Sequence, residues 1–136
     1  MFSHVIVGSN DLENAEAFYE AILTPLGLHQ REVIPDGGPR ALCWVGEKHP
    51  LPRFYVYMPL DGASASVGNG GMVAFQAASI AAVKAAYRAG IAAKGRDEGA
   101  PGPRDYYGAG YYGAYLRDPD GNKVHLVYRG DVWGDV

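Results

Sequence analysis

The run Tyr111-Tyr112-Gly113-Ala114-Tyr115-Leu116-Arg117-Asp118-Pro119-Asp120-Gly121-Asn122-Lys123-Val124-His125-Leu126-Val127-Tyr128 reads as a single β-hairpin. Two β-prone stretches, Tyr111 to Leu116 and Val124 to Tyr128, flank a turn whose chemistry is explicit. Pro119 presets the backbone at the second turn position, and Gly121 accepts the left-handed conformation that other residues resist. If the hairpin closes symmetrically, Tyr115 lies opposite His125 and Gly113 opposite Val127, with both pairs on one side. Strand alternation then sends Tyr111 and Tyr115 to one face and Tyr112 to the other.

Upstream of the hairpin lie a Gly/Pro-rich loop, Gly99 to Arg104, and a helix, Ile80 to Ala93, capped by Ser79 and stopped by Gly95. A strand, Met72 to Ala77, precedes the helix. The same order occurs earlier in the chain. Phe2 to Val7 is a β-prone strand, and Asp11 caps a helix from Leu12 to about Leu23. Leu12, Ala15, Phe18, Tyr19 and Ile22 share one face of that helix, and Glu13, Glu16 and Glu20 take the other. Three strands follow, Leu28 to Ile34, Ala41 to Val45 and Phe54 to Met58, separated by turn clusters at residues 35–39 and at His49-Pro50. Residues 59–71 carry four glycines and read as the linker between halves. At an offset of 68 residues, His4 falls on Met72, Asp11 on Ser79, Leu12 on Ile80, Tyr19 on Tyr87 and Gly27 on Gly95. The expectation is one α+β domain over residues 1–136, made of modules at about 1–60 and 70–130.

A chain of 136 residues with 48% hydrophobic content can bury a core without disulfides or a structural metal. A net charge of −3 and the lack of a basic stripe argue against nucleic-acid binding. The lone cysteine, Cys43, permits no internal disulfide and suits a reducing compartment. No apolar run approaches the roughly 18 residues of a membrane span, and Met1-Phe2-Ser3-His4 has no signal-peptide character. The expected setting is cytoplasmic, with no membrane partner. Nucleophile-elbow, phosphate-loop and dinucleotide fingerprints do not occur.

A β-α-β-β-β unit used twice, with a strand histidine just before a capped helix, resembles the vicinal oxygen chelate superfamily of glyoxalases, bleomycin-resistance proteins and extradiol dioxygenases. The residues carrying the resemblance are His4-Val5-Ile6-Val7, Asp11-Leu12 and Phe18-Tyr19 in the first half. In the second they are Gly68-Asn69-Gly70, Val73-Ala74-Phe75, Glu98-Gly99-Ala100-Pro101-Gly102, Tyr111-Tyr112-Gly113-Ala114 and Asp118-Pro119-Asp120-Gly121-Asn122-Lys123. The resemblance implies a cup-shaped mixed β-sheet around a ligand cavity. It also implies metal ligands on the first and last strands of each module. The common triad is a histidine on the first strand, a histidine opening the second module and a glutamate on the final strand. Here those positions hold His4, Met72 and His125. A fourth family position, on the last strand of module one, falls on Tyr57.

Replacing histidine by methionine and glutamate by histidine leaves two imidazoles and no carboxylate to offset a dication. Two readings of His4 and His125 are therefore open: a weak site for a divalent metal (Zn, Ni or Fe), or cavity-lining histidines that bind ligand atoms or each other. His125 is the candidate catalytic base, since imidazole titrates near neutrality. Tyr57, Met72, Arg104, Tyr111 and Tyr115 are the candidate substrate-binding residues, with Arg104 suited to an anionic group. Core packing is the alternative for the tyrosines, gap-filling for Met72 and solvation for Arg104. Arg117 and Lys123 are expected to face water. The functional expectation is a glyoxalase-like protein, a lyase, isomerase or dioxygenase acting on a small oxygenated metabolite at a degenerate metal site. The alternative is a non-catalytic protein that sequesters a small molecule. Family members cover their open sheet edges by pairing, so a homodimer is expected, with Trp44 and Trp133 available for its interface.

Overall fold

The hairpin forms as its turn chemistry requires. In the computed structural model, which describes residues 1–133, Asp118 N–H donates to Asn122 and Gly121 N–H to Asp118, with Gly121 at φ +97°. The flanking strands pair antiparallel with Tyr115 opposite His125 and Gly113 opposite Val127, the expected register.

The first half builds β1 (His4–Gly8), α1 (Leu12–Leu23), β2 (Leu28–Arg31), β3 (Ala41–Gly46) and β4 (Arg53–Tyr57). The second builds β5 (Val73–Gln76), α2 (Ile80–Ala92), β6 (Arg96–Pro103), β7 (Tyr111–Arg117) and β8 (Lys123–Arg129). A single 3-10 turn, Asp105–Tyr107, precedes β7, and a short helix, Gly130–Trp133, follows β8. Both long helices are capped as their sequences require. Asp11 accepts from Asn14 N–H and Ser79 from Ala82 N–H, each at 3.1 Å. The strands form two four-stranded mixed sheets of identical order, β1-β4-β3-β2 and β5-β8-β7-β6. In each, the first and last strands of the half run parallel, side by side.

Two stretches differ from expectation. β2 ends at Arg31, paired with Cys43, rather than at Ile34, and the chain then leaves the sheet toward Pro35 and Pro39, which have no N–H to offer a ladder. Residues 99–103, expected as loop, instead pair with β7 as part of β6, with register shifts on both sides of Gly99. β6 is an edge strand, where prolines and bulges are tolerated because one row of backbone groups needs no strand partner.

One face of each sheet packs on the helices. Val5, Val7, Phe54, Val56 and Trp44 from the first sheet share a core with Phe75, Val124, Leu126, Ala114 and Leu116 from the second and with Phe18, Tyr19, Ile22 and Val83 of the helices. Phe54 and Phe75 meet edge to face at 5.0 Å, joining the two halves. Gly90 makes close packing possible: a Cβ there would lie 2.7 Å from Leu116 and 2.8 Å from Ile22. Trp44, expected at an interface, is fully buried in this core, its indole N–H donating to Glu20 at 2.9 Å. A large aromatic facing the helix layer of its own sheet has no surface left to offer a partner.

The halves are also joined by polar contacts at the hairpin turn. Asp118, 1% exposed, accepts from the Tyr19 hydroxyl at 2.6 Å, from Asn122 Nδ2, and from the backbone N–H groups of Asp120 and Asn122. Asn122 Nδ2 also donates to Gly8 at the end of β1, and Asp120 accepts from Asn10 N–H. The turn is thus both a hairpin and a clasp on the β1–α1 junction.

Candidate functional site

With one face of each sheet committed to the core, strand alternation fixes what the other face carries. On the first sheet it presents His4 and Ile6 from β1, paired with Arg53 and Tyr55, and Tyr57 beside Gly8. On the second it presents Tyr111, Gly113 and Tyr115 from β7 opposite Arg129, Val127 and His125. Tyr112 packs against the core, as the alternation predicts.

His125 is the best-defined group on the second face. It is 1% exposed, and its ring lies across Gly113, where a Cβ would sit 2.5 Å from the imidazole Cε1. Only glycine leaves room for it. The ring stacks on Tyr115 at 4.1 Å and on Tyr111 at 5.8 Å. Nδ1 is 2.9 Å from the Ala114 carbonyl, which can only accept, so Nδ1 carries the proton. Nε2 is therefore the acceptor, and the Tyr111 hydroxyl donates to it at 2.7 Å. Burial pushes the imidazole below its ordinary range, opposed by the Ala114 bond and reinforced by Arg104 and Lys123. Burial raises Tyr111 as well. The two shifts keep the proton on the phenol and the imidazole neutral near pH 7. Tyr115 is pushed up to about 12, chiefly by burial and then by its hydrogen bond to Tyr107.

Cations surround these rings. The Arg104 guanidinium lies 5.8 Å and the Lys123 ammonium 5.1 Å from the Tyr115 centroid, and the Arg129 guanidinium 5.2 Å from that of Tyr111. Arg129 is neutralised by a two-pronged pair with Asp131, and Arg117 pairs with Glu98 at 3.0 Å. Arg117 and Lys123 are thus half-buried and engaged, not simply solvated.

The first face is more open. His4 is exposed, its Nδ1 bonded to the Ser3 hydroxyl and its ring edge-on to Tyr55 at 5.6 Å. Ile6, Gly8 and Ser66 border two adjoining cavities. One, of about 570 Å³, is also lined by Tyr57, Met58 and Leu60. The other, of about 330 Å³, is also lined by Val67, Met72 and Lys123. Tyr57 and Met72 therefore do border cavities, and Met72 is 45% exposed rather than packed into a floor. Neither His4 nor His125 lines either of these cavities, and the two share no bonded or stacked neighbour among the described residues.

The strand pairing also revises the internal repeat. Ile6 pairs with Tyr55 and Ala74 with His125, so Tyr55, not Tyr57, is the first-half counterpart of His125. The second half carries two more residues between its paired strands than the first, which a constant offset cannot register. The matched positions on the faces turned away from the core are then His4, Tyr55, Met72 and His125. For a divalent metal this set fits poorly. It has no carboxylate, its thioether is neutral and soft, and the lone pair of His125 Nε2 is occupied by Tyr111. No group of three or more His, Cys, Asp or Glu placed to hold a metal occurs among the described residues. The same residues contain no helix long and apolar enough to cross a membrane.

Sequence reasoning sent Lys123 to solvent and gave Gly113 no role beyond its strand pairing. The signal for both was present in the hairpin register, which puts Gly113 diagonally beside His125 and Lys123 on its face.

A sequence model of the Glyoxalase/Bleomycin resistance protein/Dioxygenase superfamily matches residues 1–126. The crystal structure of a glyoxalase/bleomycin resistance protein from Albidiferax ferrireducens is 40% identical, with a TM-score of 0.80, covering 95% of this chain and 98% of that one. Lactoylglutathione lyase from Agrobacterium tumefaciens has the same fold at 22% identity and a TM-score of 0.63, covering 99% and 97%. A glyoxalase-related enzyme from Fulvimarina pelagi does so at 15% and 0.70, covering 95% and 88%. No curated protein matches the chain.

Proposed function

The chain belongs to the glyoxalase/bleomycin resistance protein/dioxygenase superfamily, and from that premise we propose that it binds a small oxygenated molecule against its outward sheet faces, without a tightly held divalent metal. The observation that carries this reading is the state of His125. It occupies the position where family resemblance puts a metal-binding glutamate, yet both its ring nitrogens are bonded within the protein. A ligand nitrogen must offer its lone pair, and freeing Nε2 would strand the buried Tyr111–His125 pair. Binding instead falls to the groups that remain available. The apolar cavity walls at Ile6, Tyr57 and Met72 take the body of the molecule, and Tyr111, Tyr115 and the nearby cations take its polar atoms.

A catalytic reading, as a lyase or isomerase, is favoured by one specific feature, the Tyr111 hydroxyl set on His125 Nε2. A phenol backed by an imidazole can pass a proton to or from a substrate oxygen, His125 serving as base once a substrate displaces the phenol. Competitive titration of Zn and Ni into native protein, His4→Ala and His125→Ala tests the absence of a tightly held metal on which both readings rest. Weak and unchanged metal affinity across all three is expected. Tight binding by the native protein that both substitutions abolish would overturn the metal-free reading.

A further inference from the structure

Arg104 and Lys123 stand apart from Arg117 and Arg129 on the second sheet face. Arg117 and Arg129 each have a carboxylate, at Glu98 and Asp131, whereas Arg104 and Lys123 form no ion pair among the described residues. Both are half-buried, and both lie within 6 Å of the same Tyr115 ring. Arg104 is held in place by its own strand. Its guanidinium donates to the carbonyls of Ala100 and Pro103, at 2.9 and 3.2 Å. To do so it lies flat along β6, where a Cβ at Gly102 would come within 3.1 Å of it and one at Gly99 within 3.5 Å. The two register shifts and two glycines of this edge strand thus orient a guanidinium that still has unused N–H donors. Lys123 reaches the ring from β8 and also lines the cavity bordered by Ile6 and Met72. Two half-buried positive charges without a counter-charge, beside an imidazole that is neutral, leave an electrostatic deficit that an anion would satisfy.

We propose that Arg104 and Lys123 form an anion-binding subsite over Tyr115, which receives the carboxylate or phosphate group of a small planar ligand. This deepens the small-molecule reading above and rests on it. The two side chains supply positive charge from the protein itself. A guanidinium matches the paired oxygens of a carboxylate or phosphate, while the ammonium adds a point charge.

The test uses the full chain labelled with ¹⁵N, with benzoate, benzamide and inorganic phosphate as probes. Benzoate is expected to shift the Gly99, Gly102 and Arg104 signals saturably, and benzamide, which has the same ring and no charge, to leave them in place. Phosphate should compete. Arg104→Gln and Lys123→Gln should each weaken benzoate at least tenfold while keeping a native-like spectrum, and Lys123→Arg should recover most of the loss. If benzoate and benzamide shift the same signals equally, the charge has no role and this inference falls, although small-molecule binding stands. If benzoate affinity is unchanged in both glutamine variants, or neither anion shifts these signals, the subsite is refuted.

Discussion

The clasp between the halves can be tested at one atom. Tyr19→Phe removes only a hydroxyl, from a ring that is fully buried, and so creates almost no cavity. The bond it removes is a charge-assisted one, 2.6 Å long, to a carboxylate out of contact with water. Hydrogen bonds to charged groups contribute about 1.5–3 kcal/mol. Asp118 keeps three other donors, so the carboxylate is not stranded and the upper end of that range is not expected. At the entropy of unfolding typical of a 136-residue chain, a loss of about 2 kcal/mol lowers the melting temperature by roughly 7 °C. Asp118→Ala should cost more, about 4 kcal/mol or beyond, because it leaves the phenol and a buried backbone N–H without acceptors and removes one of the two acceptors of the Asn122 amide. Urea unfolding followed by the fluorescence of Trp44, whose ring lies 5.9 Å from that of Tyr19, reads both variants and their double. The double should cost no more than Asp118→Ala alone, since the two substitutions remove the same bond. If Tyr19→Phe changes stability by less than about 0.5 kcal/mol, or the two effects add, the clasp does not contribute as argued.

Three further outcomes follow from the site. His125 has a folded-state pKa below its ordinary 6.5, so its contribution to stability is present above that value and is lost as pH falls through the depressed folded pKa; urea midpoints measured from pH 7.5 to 5 should decline in native protein and decline less in His125→Gln. Gly113→Ala should destabilise by about 1–3 kcal/mol and expel the imidazole from between Tyr111 and Tyr115, visible as altered His125 ring signals; an unchanged spectrum would contradict the close approach at Gly113. Both sheets are open, with edge strands at either end, and Phe2, Leu60 and Trp133 are exposed, so a homodimer is expected, now without Trp44; sedimentation equilibrium returning a monomer at tens of micromolar would count against it.

What the sequence made legible is what local chemistry determines. Pro119 and Gly121 set the hairpin, and the hairpin set the register that puts Tyr115 opposite His125. Asp11 and Ser79 announced both helix starts because a cap needs only its own first turn. The strand character of residues 99–103 was hidden for the opposite reason. Glycine and proline there are acceptable only because β6 has a neighbour on one side alone, which is a property of the sheet and not of the segment. The candidate site divides in the same way. Alternation placed Tyr111, Tyr115 and His125 on one face, but whether an imidazole offers its lone pair to a metal depends on where a phenol fourteen residues away points. The Tyr19–Asp118 bond, spanning 99 positions, left no local trace at all, and the same aspartate had a sufficient explanation as a turn residue. Beside the missing carboxylate and the soft thioether, what stands between His125 and a metal is thus a side-chain contact that no motif encodes: substituting Tyr111 by Phe would return a free nitrogen to His125, and a gain in zinc affinity in that variant would identify the phenol as one of the groups that keep metal out.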